Sequence, residues 1–211
     1  MDRAFYSALR RTVDPTRQDM YLTVDNSPSD RYARSLARRY SDFSTFEHLD
    51  IPPQATSRAT FLNNVAVSAN RLRERLLASN CDHLVTIEAD VLVPPELPAL
   101  FDEAIDRLER IDASWGAVGG LYYSFHHPAL QDPQDERLLQ SEEVFSGVTC
   151  YNRRMLAETC FRWSQEDTRP FPDAWIKHDS QALGYSMWLY NKIKCRHLRG
   201  RWVPFFWSRF Q

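Results

Sequence analysis

Hydrophobic and polar positions follow two rhythms along this chain. Over Arg3–Thr12, Phe5, Ala8 and Leu9 recur at helical spacing, which predicts a short amphipathic helix. Arg31–Tyr40 and Asn63–Ser79 read the same way, the second through Val65, Leu72, Leu76 and Leu77. Pro95–Ile111 is a further predicted helix, opened by proline and charged along one face. Between these lie short apolar runs that predict strands: Tyr21–Val24, His83–Ile87, Ala117–Phe125 and a stretch within Glu143–Asn152. Helix is predicted to begin over Arg153–Cys160 and to run over Asp179–Asn191, with a last strand at Ile193–His197. Residues 25–30, 41–57, 126–140 and 168–172 carry breakers or little periodicity and read as turn or loop. Helices alternate with strands through the first 120 residues, so the pattern predicts a three-layer α/β fold with a mainly parallel central sheet. Such sheets hold ligands outside the carboxyl ends of their strands. With no repeat and no long linker, one domain is expected over residues 1–211, closed by a basic-aromatic tail from about residue 198.

Composition narrows the class of protein. No apolar run approaches the roughly 18 residues of a membrane span, and the segment MDRAFYSALRR lacks the apolar core of a secretory leader. Cys81, Cys150, Cys160 and Cys195 are scattered, without metal-ligand spacing or a disulfide framework. A soluble, cytoplasmic protein is expected. The net charge of −2 hides a bias: Lys177, Lys192 and Lys194 are the sole lysines among 26 basic side chains. Arginine is the residue whose planar fork matches phosphate and carboxylate.

The chemistry sits at predicted strand ends. HLVTIEADVLVPPE carries an apolar run into Glu88-Ala89-Asp90. Strand residues two apart point the same way, so both carboxylates can address one ligand. Together they repel unless a cation neutralises them, and a hard divalent ion such as Mg2+ or Mn2+ does so with phosphate oxygens completing its shell. The plainer role for the pair is a strand-end cap. In VDNSPSD, Asp25 ends another strand and either accepts from a base or ribose or forms an Asx turn. Arg71 either holds a phosphate or belongs to a solvated helix face. Asp179 is placed at a helix start, where the plain role of an acid is a cap or a dipole partner, and His197 at the end of the final strand, where it is either a structural histidine or completes a carboxylate–imidazole metal set.

The order of these segments is familiar: VDNSPSD, a helix with Asn70-Arg71, IEADV, VGGLYYS, FSGVTCYNRRML and finally HDSQALGYSMWLYNKIKCRHL. Over roughly residues 5–200 the chain resembles the GT-A glycosyltransferases, in particular the inverting, metal-dependent family-2-like enzymes. The resemblance implies a nucleotide-sugar donor, such as a UDP-sugar, and a divalent metal cofactor, Mn2+ or Mg2+. It implies that Asp90 and His197 are metal ligands. Glu88 would meet the ribose, or the metal through water. Asp25 would meet the base or ribose, and Gly147 would let the donor sugar approach. Arg71, Arg199 and Arg201 would lie near phosphate, and Asp179 would be the general base. The strand with which that family begins is missing from this chain, and Glu-Ala-Asp replaces the commoner Asp-x-Asp.

The acceptor stays open among DNA, saccharide, lipid and protein. A compact transferase of this kind is one that viruses carry to decorate hydroxymethylated pyrimidines in DNA, which would place it in host cytoplasm. The tail KIKCRHLRGRWVPFFWSRF either contacts a phosphate backbone and bases or packs Phe205, Phe206 and Trp207 on the core. Two other readings are a catalytically impaired nucleotide-sugar-binding module and another metal-dependent nucleotide-using transferase.

Overall fold

A computed structural model of the chain describes residues 2–122, 137–141, 147–164 and 171–198. In chain order the elements are α1 (Asp2–Arg10), β1 (Leu22–Asp25), α2 (Arg31–Tyr40), β2 (Thr45–His48), α3 (Ser57–Leu77), β3 (His83–Ile87), β4 (Val91–Leu92), α4 (Leu97–Ile111), β5 (Trp115–Tyr122), β6 (Leu138–Gln140), β7 (Val148–Asn152), α5 (Arg153–Glu158), α6 (Pro172–Ala182) and β8 (Ser186–His197). The central sheet runs β3-β7-β5-β8-β4, with β6 also on β8. It is mixed where the pattern predicted mainly parallel pairing. Among the described strands β1–β2 and β5–β8 are parallel, whereas β3–β7, β5–β7, β4–β8 and β6–β8 are antiparallel. The reason is β7, which returns between β3 and β5 and runs against both.

Helices cover both faces of this sheet, and the alternation along each strand sorts its residues between them. On one face Leu97, Phe101, Ala104 and Leu108 of α4 pack on Val118, Cys150, Tyr190 and Ile193. On the other, Leu76 of α3, Met155 and Leu156 of α5 and Ile176 of α6 pack on Ala117, Tyr151 and Met187. Neighbours Val118 and Ala117, and Cys150 and Tyr151, thus lie in opposite layers. Arg153 locks one corner: its guanidinium donates to the carbonyls of Leu76, Leu77, Ser79 and Cys81. Leu76 and Leu77 are among the acceptors that the C-terminus of α3 leaves over, and Ser79 and Cys81 belong to the loop that follows.

β1 and β2 form a separate two-stranded sheet, and among the described residues no strand precedes α1. In α1, Phe5, Tyr6 and Leu9 pack with Leu36 of α2, Phe46 of β2 and Ile87 at the end of β3. One apolar cluster therefore joins the small sheet to the large one.

Beyond shifts of a few residues at element ends, and a start of α3 at Ser57 rather than Asn63, four assignments differ from expectation. Thr45–His48 is a strand inside a predicted loop; with one exposed and three half-buried positions it has no clean alternation. Leu138–Gln140, also predicted loop, pairs with β8. Pro172 opens α6 rather than closing a loop. The predicted helix Asp179–Asn191 is the last turn of α6, a reversal at Leu183–Tyr185 where Gly184 takes φ 87°, and the first half of β8. Met187, Leu189 and Tyr190 are all buried, so that half-strand shows a continuous apolar run that periodicity cannot tell from a helix.

Candidate functional site

β3, β5 and β8 point the same way, so Ile87, Tyr122 and His197 end at one edge of the sheet. Antiparallel β7 and β4 begin there. Glu88-Ala89-Asp90-Val91 is a tight turn at this edge, closed by the Val91 amide donating to the Glu88 carbonyl at 3.0 Å. The two acids are thus presented by a turn and not, as expected, by strand alternation. The Glu88 amide donates to the Gly147 carbonyl at 2.9 Å, and the Leu198 amide donates to the Asp90 carbonyl at 2.5 Å. Val91 pairs with His197 in the β4–β8 ladder. The fold therefore gathers four predicted residues through their backbones: Glu88, Asp90, Gly147 and His197. Glu88 is exposed, Asp90 half-buried and Gly147 buried.

The helix start that faces this edge belongs to Asp173, which the sequence reading missed. Asp173 lies in the first turn of α6. Tyr151 links it to the acidic turn: burial first, then the charges of Asp173 and Glu88, push the phenol of Tyr151 up. The start of α6 lies at this edge because α6 leads back through Leu183–Tyr185 into the beginning of β8 at the opposite one. The signal available in the sequence was Pro172-Asp173 ahead of Trp175 and Ile176, a proline-opened first turn with an acid.

Asp179 is not at a helix start. It lies in the last turn of α6, where Arg162 donates to it through Nε (2.7 Å) and a second guanidinium nitrogen (2.8 Å), with His178 Nδ1 at 3.1 Å. Arg162 above all holds its carboxyl below the usual range. Arg162 also stacks on Trp175, 3.5 Å from the ring centre. Gln181, two residues on, lines a hollow of about 840 Å³ with Ser114, Ser186 and Trp188. That hollow is at the beginnings of β5 and β8, the edge opposite the acidic turn.

Two other predicted residues are engaged within the chain. Asp25, 7% exposed, accepts from Ser27 N (3.2 Å) and Ser27 Oγ (2.8 Å), an Asx turn, and pairs with His48 Nδ1 at 2.9 Å. Arg71 donates to Glu47 at 2.7 Å and Glu74 at 3.1 Å, so acids already engage its fork. Beside it, Asn70 exchanges two hydrogen bonds with the backbone of Phe161. Arg199, Arg201 and the aromatics of the tail lie outside the described residues, as does the side chain of His197.

The donor set suits a hard cation: two carboxylates on one turn, with an imidazole-bearing residue paired to that turn. Among the described residues no cluster of three or more His, Cys, Asp or Glu forms a closed metal cage. An ion that shares its shell with phosphate oxygens and water needs none.

The architecture matches solved structures. The mannosyltransferase PcManGT from Pyrobaculum calidifontis, in complex with GDP-Man and Mn2+, superposes with a TM-score of 0.66 at 14% identity, over 96% of this chain and 55% of that one. GalNAc-T7 with UDP, GalNAc and Mn2+ gives 0.58 at 8% identity, over 89% and 39%. This is a GT-A fold. A197 from STIV gives 0.50 at 12% identity, over 86% and 87%. The GT-A chain described here thus spans about half the length of the mannosyltransferase and two-fifths of GalNAc-T7. No protein-family profile matches it, and no curated protein matches it in sequence. Among its described residues no helix is long and apolar enough to cross a membrane.

Proposed function

We propose that this protein is a glycosyltransferase that moves a sugar from a nucleotide-diphosphate donor to an acceptor hydroxyl at the edge carrying Glu88, Asp90, Gly147 and His197. The observation that carries this reading is the acidic turn: on a GT-A fold, its backbone is tied to Gly147 and to the end of β8. Asp90, with His197, would hold a divalent ion, and Glu88 would assist directly or through water. Such an ion, when bound, neutralises a diphosphate leaving group.

The chain's own residues do the rest. Gly147, with no side chain, leaves room for the donor beside the turn. Asp173 takes the proton from the attacking hydroxyl, and its place in the first turn of α6 is where a negative charge is stabilised. This assignment replaces Asp179, whose carboxylate is spent on Arg162 and lies toward the other edge. Attack by the hydroxyl on the face opposite the leaving group gives inversion. Arg199 and Arg201, the first basic residues to follow His197 in the sequence, would meet the diphosphate.

The test is a screen of UDP- and GDP-sugars with purified protein and Mn2+, scoring nucleoside diphosphate release and donor binding separately. Release that depends on Asp90 supports the reading. Donor binding without release under any acceptor would identify a binding module, and no binding of any donor would end the proposal.

A further inference from the structure

Helix α2, RYARSLARRY, has four arginines and no acidic residue in its ten positions. Ala33 and Leu36 are buried against the core, which turns Arg31, Arg34 and Arg38 outward at spacings of i, i+3 and i+7, with Arg39 beside them. All four are exposed. Arg34 donates to Asp30 at 2.7 Å, but Arg31, Arg38 and Arg39 make no ion pair with any described residue. The acid next along the chain, Asp42, is taken by Arg10 of α1. Like charges at these spacings repel and weaken a helix. The fold keeps them although the whole chain is net negative, at −2. The patch is therefore a local concentration of positive charge and not a sign of a basic protein.

We infer that the outer face of α2 is a docking surface for the sugar-phosphate backbone of a nucleic acid. The stripe rises about 10 Å from Arg31 to Arg38, and arginine forks bind phosphate oxygens in pairs. The exposed ring of Tyr32 lies beside the stripe, where a base can stack. A membrane surface fits less well. The outward positions of α2 carry no aliphatic or tryptophan side chain to insert, and its apolar side is already buried in the protein's own core. The inference is independent of the transfer reaction, because it needs neither metal nor donor.

Fluorescence anisotropy with a labelled 30-mer, duplex and single-stranded, tests it on the full chain without metal or nucleotide sugar. Four phosphate contacts on duplex DNA predict a slope of log affinity against log salt near −3.6, which is about 150-fold weaker binding at 200 mM than at 50 mM salt. Replacing two of them, Arg31→Gln with Arg38→Gln, should cut that slope by about 1.8. Glutamine keeps helix propensity, and a circular dichroism melt confirms that the variant is folded. Arg110→Gln with Arg75→Gln, on other helices, should leave binding unchanged. The inference is overturned by absence of salt-dependent binding at 50 mM, or by equal loss in the two double variants. It is also overturned if phosphatidylserine vesicles bind through Arg31 and Arg38 while oligonucleotides do not.

Discussion

Replacing Asp173 and Asp179 separately by asparagine discriminates between two candidate bases that share one helix. Six residues of α-helix advance about 9 Å and turn about 240°, so the two carboxylates leave α6 from different sides and at different heights. Asp173 lies in the first turn of α6, at the edge of the acidic turn, whereas Asp179 lies in the last turn and is paired with Arg162. Asp173→Asn removes the proton acceptor but keeps the shape of the side chain, and should lower turnover by about 10²–10⁴-fold while donor binding is retained. Asp179→Asn removes an ion pair whose side chains are 24% and 45% exposed. After solvent screening such a pair is worth at most about 1 kcal/mol, which lowers the melting temperature by roughly 2–4 °C. Turnover should be unaffected. The assay pairs nucleoside diphosphate release under saturating donor with calorimetric donor titration and a thermal melt of each variant. Loss of turnover in Asp179→Asn with full turnover in Asp173→Asn would refute the assignment and the topological reasoning behind it.

Asp90→Ala should abolish Mn2+-dependent donor binding in a titration, and equal binding by wild type and variant would show that the acidic turn is a cap and not a metal seat. Arg153→Ala takes the guanidinium from four carbonyls at and just beyond the end of α3, of which Leu76 keeps Ser79 as a donor; with bonds to a charged donor worth about 1.5–3 kcal/mol, a net loss of about 3 kcal/mol and a fall in melting temperature of about 6–12 °C is expected. Gly120→Val should destabilise by about 1–3 kcal/mol in urea denaturation, since a Cβ at Gly120 would stand 2.5 Å from Cγ2 of Ile193. Partial burial pushes Asp112 up, but donors from Ser114, Ser186 and Trp188 outweigh it and hold its carboxyl below its ordinary 3.8. A depressed folded pKa contributes stability above the unfolded value and loses it as pH falls through the folded one, so Asp112→Asn should flatten the acid limb of stability below about pH 4.

The helices and strands with a polar side were legible in the sequence. Arg31–Tyr40 and His83–Ile87 match their predicted limits because a buried stripe or run is bounded there by breakers. Glu88 and Asp90 stood out in the sequence because polar groups that interrupt an apolar run have few places to go, whereas Gly147 entered only through the resemblance. Ser186–Asn191 was not legible, because a strand buried on both faces shows no period. Misplacing it moved the start of α6 and with it the candidate base from Asp173 to Asp179. Nor could the sequence decide whether Asp25 and Arg71 face a ligand or a neighbour, since His48, Ser27, Glu47 and Glu74 reach them only in the folded chain. Residue types and local patterning set what each segment can do. Which carboxylates share an edge depends on β7 returning between β3 and β5 and on β8 ending against β4, pairings between segments as far apart as residues 91 and 197, and those only the tertiary structure decided.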